Sequence, residues 1–225
     1  MRLEEFNKIK NCFGYNEGIN GKEEFFNSVV LVLLVPIGDE YHFVLQKRNE
    51  NIRQGGEICF PGGRIDEADK TLEMVAIRET NEEMGIPSEQ IEIIGRLNTV
   101  VALMGATVDA FIGVSSVGID EMIINKAEVE SVLSIPVSFF EENEPENYSV
   151  LLKAHPTYVH EETGEEITLL PAEELSLPDR YKAPWGNYKH RILVYKTEHG
   201  VIWGITARLI YEFVNKARQY KLNKT

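Results

Sequence analysis

Three glutamates, Glu79, Glu82 and Glu83, stand at positions i, i+3 and i+4 shortly after the pair Gly62-Gly63, and nothing else in the chain restricts its fold as tightly. On an α-helix those positions share one face. Three like charges there repel unless a cation sits among them, and a divalent metal is the natural candidate. At ~100° per residue, Leu72, Val75 and Ala76 fall on the same stripe as the carboxylates. The stripe is therefore apolar for two turns and acidic for the next two. If its apolar part packs on a sheet, the carboxylates are aimed at the rim of that core, where an unpaired charge is costly. Arg78, four residues before Glu82, is spaced to pair with a carboxylate and hold it for a metal. A charge run on a helix is more often a solvated face; continuity with the apolar stripe decides against that here.

The remaining sequence bounds the setting. A chain of 225 residues can bury one substantial core. The net charge of -13 argues against a nucleic-acid-binding surface, which needs a basic stripe. An anionic small molecule stays open, because bound cations reverse the field locally. The first fifteen residues carry charges throughout and show no apolar signal-peptide segment, and no apolar run reaches the length of a membrane span. Cys12 and Cys59 lie far apart in no metal-ligand spacing, as expected of reduced thiols in a cytoplasmic protein.

Along the chain, residues 1–24 read as a short helix and a polar lead-in. Ser28 to Pro36 is a fully apolar, β-branched strand, returned through Gly38-Asp39 by a strand over Tyr41 to Gln46. Lys47 to Gly56 is a charged loop, and Ile58 to Phe60 is a short strand delivering the chain to Pro61-Gly62-Gly63. The acid-bearing helix is predicted over Lys70 to Met84, stopped by Gly85 and Pro87. Further strands are expected at Ile91–Val100, Val108–Val114, Val132–Ile135, Ser149–Leu152, Thr157–Val159 and Ile192–Tyr195, with a short helix after Pro136. Residues 141–147 read as a solvated acidic loop. Ile205, Leu209, Ile210, Phe213, Val214 and Ala217 form one stripe of a C-terminal helix that docks on the core, with Trp203 also read as a core residue. The chain reads as a single domain over 1–225, with 141–200 as its elaboration and 205–220 as the docking helix.

These residues resemble the signature of the Nudix hydrolases, G-x5-E-x7-R-E-U-x-E-E-x-G-U with U a bulky aliphatic residue. The back half matches from Arg78 to Ile86, with polar Thr80 at the first aliphatic position. The front half departs: Gly63 to Arg78 is one residue longer than the pattern, and Asp69 stands for the isolated Glu. Asp69 is expected to cap the helix instead. The resemblance implies an α/β/α sandwich with a mixed central sheet and a metal-dependent enzyme cleaving the diphosphate of a nucleoside diphosphate linked to another group. It implies Glu79, Glu83 and Glu82 as metal ligands, with the Gly63 carbonyl beside them. Glu82 is alternatively the base that activates water. Arg78 acts with these glutamates, and Glu128 is the candidate assisting loop acid. Mg²⁺ or Mn²⁺ is the implied cofactor.

The segment before this signature is similar to the fingerprint of the coenzyme A diphosphatase branch, L-L-T-x-R-S-x3-R-x3-G-x3-F-P-G-G. Leu45, Arg48, Arg53, Gly56 and Phe60 to Gly63 match it, whereas Gln46 and Asn49 replace Thr and Ser and the Arg53–Gly56 gap is one residue short. The resemblance implies hydrolysis of coenzyme A or acyl-coenzyme A to 3',5'-ADP and phosphopantetheine. Guanidinium binds phosphate bidentately, so Arg48 and Arg53 are candidates for the 3'-phosphate and Arg64 for a further phosphate contact. The alternatives are a Nudix enzyme acting on ADP-ribose, a dinucleotide or a nucleotide sugar, and a ligand-sensing module without turnover. The expected partner is a nucleotide-diphosphate small molecule, without nucleic acid or membrane; a homodimer is one outcome the sequence allows.

Overall fold

The computed structural model describes Arg2, Glu5 and residues 18–103 and 105–223. The helix expected within residues 1–24 falls mostly outside these, as does Cys12; Lys22–Glu24 is one turn of 3-10 helix. The spine of the fold is β1 (Phe26–Ile37). Its residues Val29, Leu31, Leu33 and Val35 belong to one buried cluster, and Val32 and Leu34 to another. A strand covered on both faces must be apolar at every position, which is why 28–36 reads as a continuous run.

The chain turns at Gly38 into β2 (Glu40–Arg48), then reaches β3 (Ile58–Cys59) and β4 (Gly62–Arg64). Helix α1 (Leu72–Met84) follows, then β5 (Ile91–Arg96), β6 (Val100–Ala102), β7 (Ala106–Ser115) and β8 (Val129–Pro136). Together these strands make one sheet with the path β3-β2-β1-β7-β5, in which β4 joins β1, β6 joins β7 and β8 joins β2. β1 and β7 run parallel and the other pairs antiparallel, so the sheet is mixed. Helix α2 (Val137–Glu142) leads to β9 (Glu146–Ala154), the hairpin β10 (Thr157–Val159) and β11 (Glu166–Thr168), then β12 (Trp185–Thr197) and β13 (Gly200–Trp203). Strands β13, β12 and β9 form a second, antiparallel sheet. Helix α3 (Gly204–Leu222) closes the chain.

Val75, Ala76 and Met84 of α1 are buried against one face of the main sheet, with Val29 and Leu31. Ala207, Ile210 and Val214 of α3 are buried against the other, with Phe140 of α2 and Leu193 and Tyr195 of β12. The expected α/β/α sandwich is therefore present. Phe43 stands at its centre, edge-to-face with Phe60, Phe140 and Phe213 at centroid distances of 5.8, 5.5 and 5.1 Å. Among the described residues no helix is long and apolar enough to cross a membrane.

Several expectations need correction. The strand over 91–100 is two strands: β5 shifts register between Ile93 and Gly95, and Leu97 turns inward to 3% exposure. Strands β4, β11 and β13 span only three or four residues each, too few to show an alternation. The acidic stretch 141–147 is exposed over most of its length as expected, but it is a loop only at 143–145, between the end of α2 and the start of β9. Glu141, Glu144 and Glu146 there pair with Lys221, Arg218 and Lys196. Trp203 is 46% exposed rather than in the core, because it ends β13 on the side opposite buried Ile202.

Candidate active site

Helix α1 begins where Thr71, with extended backbone, accepts the Met74 N–H on its hydroxyl at 3.2 Å. It ends at Gly85 in the left-handed region, whose N–H reaches the Asn81 carbonyl at 2.8 Å. Thr71 thus takes the capping role expected of Asp69. The Asp69 carboxylate is turned instead onto Arg78, accepting from Nε at 3.1 Å and from Nη2 at 2.8 Å. That bidentate pair holds the Asp69 carboxyl below its ordinary range. Thr80, polar where an aliphatic residue is the rule, is fully buried because its hydroxyl donates to the Ala76 carbonyl at 2.7 Å and leaves no unsatisfied group.

The three glutamates divide by burial. Glu83 is 2% exposed and accepts the Gly62 N–H at 2.9 Å. Burial pushes its carboxyl up to about 7, against the opposing pull of that N–H, Gln46 and Arg48. Glu79 is partly buried and also raised, again chiefly by burial. Glu82 faces outward, its side chain 53% exposed. Arg78 joins the set: Nη1 lies 2.8 Å from Glu79 and 3.1 Å from Glu82, while Nη2 donates to the Arg64 carbonyl at 3.0 Å.

The loop after β2 closes on this helix from the other side. Arg48 lies 4.0 Å from the Glu83 carboxylate through Nη1, and its Nε donates to the Arg53 carbonyl at 3.2 Å. Arg48 therefore stands between the Glu83 carboxylate and the Arg53 backbone, with its side chain 23% exposed. Arg53 and Arg64 are exposed, and both guanidinium groups lie over the Phe26 ring, at 5.5 and 4.2 Å from its centroid. Phe26 carried no signal in the sequence, since one aromatic at a strand start is unremarkable. Glu128 is exposed just before β8; its backbone carbonyl accepts the Asn49 N–H at 2.8 Å, and its charge helps to raise Glu79. Cys59, beside Glu83 and Arg48, is a free thiol pushed up to about 11 by burial, so it stays protonated near neutrality.

Among the described residues no three Asp, Glu, His or Cys side chains converge as a ready metal cage; Arg78 holds Glu79 and Glu82. The donor chemistry nevertheless fits a hard divalent cation. Glu83 is a buried carboxylate with one guanidinium at the edge of contact, and a Cβ built on Gly63 would lie 2.3 Å from the Glu79 carboxyl carbon. Carboxylates of Glu79 and Glu83 against the Gly63 backbone are an all-oxygen set of the kind such cations take.

Comparison with known proteins gives a consistent picture. A family model described as the NUDIX domain matches residues 27–146. "Nudix hydrolase 3" of Caenorhabditis elegans is 37% identical over 112 residues, which is 48% of this chain and 46% of that protein, so less than half of the worm protein is spanned. A Citrobacter koseri protein described as "Uncharacterized Nudix hydrolase NudL" is 27% identical over 197 residues, 86% of this chain and 84% of its own length. Among solved structures, the Mycobacterium smegmatis Nudix hydrolase RenU aligns at 22% identity and TM-score 0.44, over 52% of this chain and 76% of that one.

Proposed function

The chain belongs to the Nudix family and is a hydrolase acting on phosphorus-containing anhydrides; we propose that it splits coenzyme A or an acyl-coenzyme A into 3',5'-ADP and (acyl-)4'-phosphopantetheine, with Mg²⁺ or Mn²⁺. The observation that carries this reading is the meeting of two segments distant in sequence. The arginine loop of the coenzyme A diphosphatase fingerprint folds against the carboxylate helix, with Arg48 4.0 Å from Glu83.

Glu79, Glu83 and the Gly63 carbonyl would hold a divalent cation, which would neutralise diphosphate charge and lower the pKa of a bound water. The chain's own groups do the remainder. Gly62 N–H fixes one Glu83 oxygen, and Arg48 supplies that buried carboxylate with positive charge. Asp69 anchors Arg78, which orients Glu79 and Glu82. Glu82, the exposed member, takes the proton from attacking water, with Glu128 assisting from the β8 side. Arg53 and Arg64, free of this carboxylate network, take substrate phosphate.

Incubating the purified chain with coenzyme A and Mn²⁺ and separating the products by anion-exchange chromatography tests the reading. The expected products are 3',5'-ADP and 4'-phosphopantetheine. If coenzyme A stays intact while ADP-ribose yields AMP, the coenzyme A assignment is wrong and the ADP-ribose alternative replaces it.

A further inference from the structure

Two guanidinium groups beside one aromatic ring repel each other, and a chain of net charge -13 offers carboxylates in excess to neutralise them. Yet among the described residues neither Arg53 nor Arg64 forms an ion pair, although both are exposed. What gathers them is Phe26, at the start of β1, whose ring carries Arg64 at 4.2 Å and Arg53 at 5.5 Å. The negative face of an aromatic ring attracts guanidinium while leaving its N–H donors uncommitted. Phe26 is 36% exposed, so the ring is a surface platform and not a core residue.

The backbone of the same two arginines is tied to the carboxylates by two other guanidinium groups. Arg48 spans from Glu83 to the Arg53 carbonyl, and Arg78 from Glu79 and Glu82 to the Arg64 carbonyl. Arg64 also follows Gly63 directly, and the Gly63 Cβ position abuts Glu79. Two unpaired cations are thereby held at a fixed offset from the carboxylate site. A substrate reacting at its diphosphate and carrying a second phosphate elsewhere would be met at both places.

We propose that Phe26 is a specificity-determining positioning residue, organising Arg53 and Arg64 into a subsite for a phosphomonoester carried by the substrate beyond its diphosphate. The inference rests on the coenzyme A reading for the identity of that phosphate, the 3'-phosphate of the ribose. It does not rest on turnover, because the subsite should also hold the corresponding product.

The test compares ligands that differ only in the 3'-phosphate. Binding of 3',5'-ADP and AMP is measured by calorimetry, and turnover of coenzyme A and 3'-dephospho-coenzyme A is measured in parallel. The full chain and its Phe26→Leu and Phe26→Trp variants are used. The wild type should bind 3',5'-ADP ~10-fold or more tighter than AMP, the scale of one or two charge-assisted hydrogen bonds. Phe26→Leu should lose that preference and raise KM for coenzyme A with kcat and the dephospho substrate unchanged, while Phe26→Trp should retain it. Equal affinity of the wild type for the two nucleotides overturns the proposal. So does a Phe26→Leu effect equal on both ligands, which marks a structural role. Preference for 3',5'-ADP with no cleavage of coenzyme A removes the proposed reaction and leaves the subsite standing.

Discussion

Glu83→Gln is expected to lower metal-supported turnover by on the order of a hundredfold or more, while raising the melting temperature of the metal-free protein at pH 8. The two effects have one cause. Glu83 is buried to 2% exposure, and burial raises its carboxyl from about 4.5 in the unfolded chain to about 7 in the folded protein. Between those values the folded state keeps a proton that the unfolded state has released. The contribution to stability is full below about 4.5, declines as pH rises through the window and is gone above about 7. Over the whole window the loss is about 3 kcal/mol, at ~1.4 kcal/mol per pH unit. Glutamine keeps an oxygen for the Gly62 N–H and has no proton to lose. Thermal scans in EDTA should therefore nearly coincide for the two proteins at pH 5 and diverge at pH 8. The variant should melt several degrees higher, with ~10 °C as the ceiling for a chain of this size. Adding Mg²⁺ or Mn²⁺ should reverse the order, because only the wild type retains the buried anion that binds it. Parallel melting curves across this pH range would show that burial does not raise the Glu83 carboxyl.

How far sequence reaches is clearest on α1. The stripe of Leu72, Val75 and Ala76 leading into the glutamates was legible because a helix repeats every 3.6 residues, and the structure buries Val75, Ala76 and Glu83 along it. The stripe could not show that its acidic end splits, with Glu83 inside and Glu82 out, since a face of ~100° spans both core and rim. The irregular entry to the helix was legible only as a departure from a pattern. Its solution, Asp69 on Arg78 and Thr71 on the first turn, depends on how a loop folds back, which no periodicity encodes. Arg48 and Arg53 illustrate the same limit. Arg48 ends β2 and Arg53 lies in the loop that follows, yet Arg48 faces Glu83 and Arg53 faces Phe26, because their partners come from elements distant in sequence. The acidic run 141–147 shows the limit again: its exposure is legible from its charge, but its partners Lys196, Arg218 and Lys221 lie ~50 to 80 residues further on.

Gly62 and Gly63 should fail in different ways when each is replaced by alanine. Gly62 has φ of +155°, and a Cβ there would lie 2.3 Å from the Val29 carbonyl oxygen and 2.6 Å from the Val30 Cα. Those atoms belong to the central strand, which cannot retreat without disturbing both layers of the core. Gly62→Ala is therefore a folding defect, expected to cost ~3 kcal/mol or more and seen as a lower melting temperature with or without metal. Gly63 has no such backbone restriction, and the three atoms nearest its Cβ position all belong to the Glu79 carboxylate, at 2.3 to 2.4 Å. A methyl group there is accommodated by rotating the end of one side chain. Gly63→Ala should keep stability within ~1 kcal/mol but displace Glu79 from its seat. Turnover and Mn²⁺ affinity should each fall on the order of a hundredfold. Measuring melting temperature in EDTA beside kcat for both variants separates the two failures. Wild-type activity in Gly63→Ala would mean that Glu79 acts from somewhere other than the position the glycine leaves open.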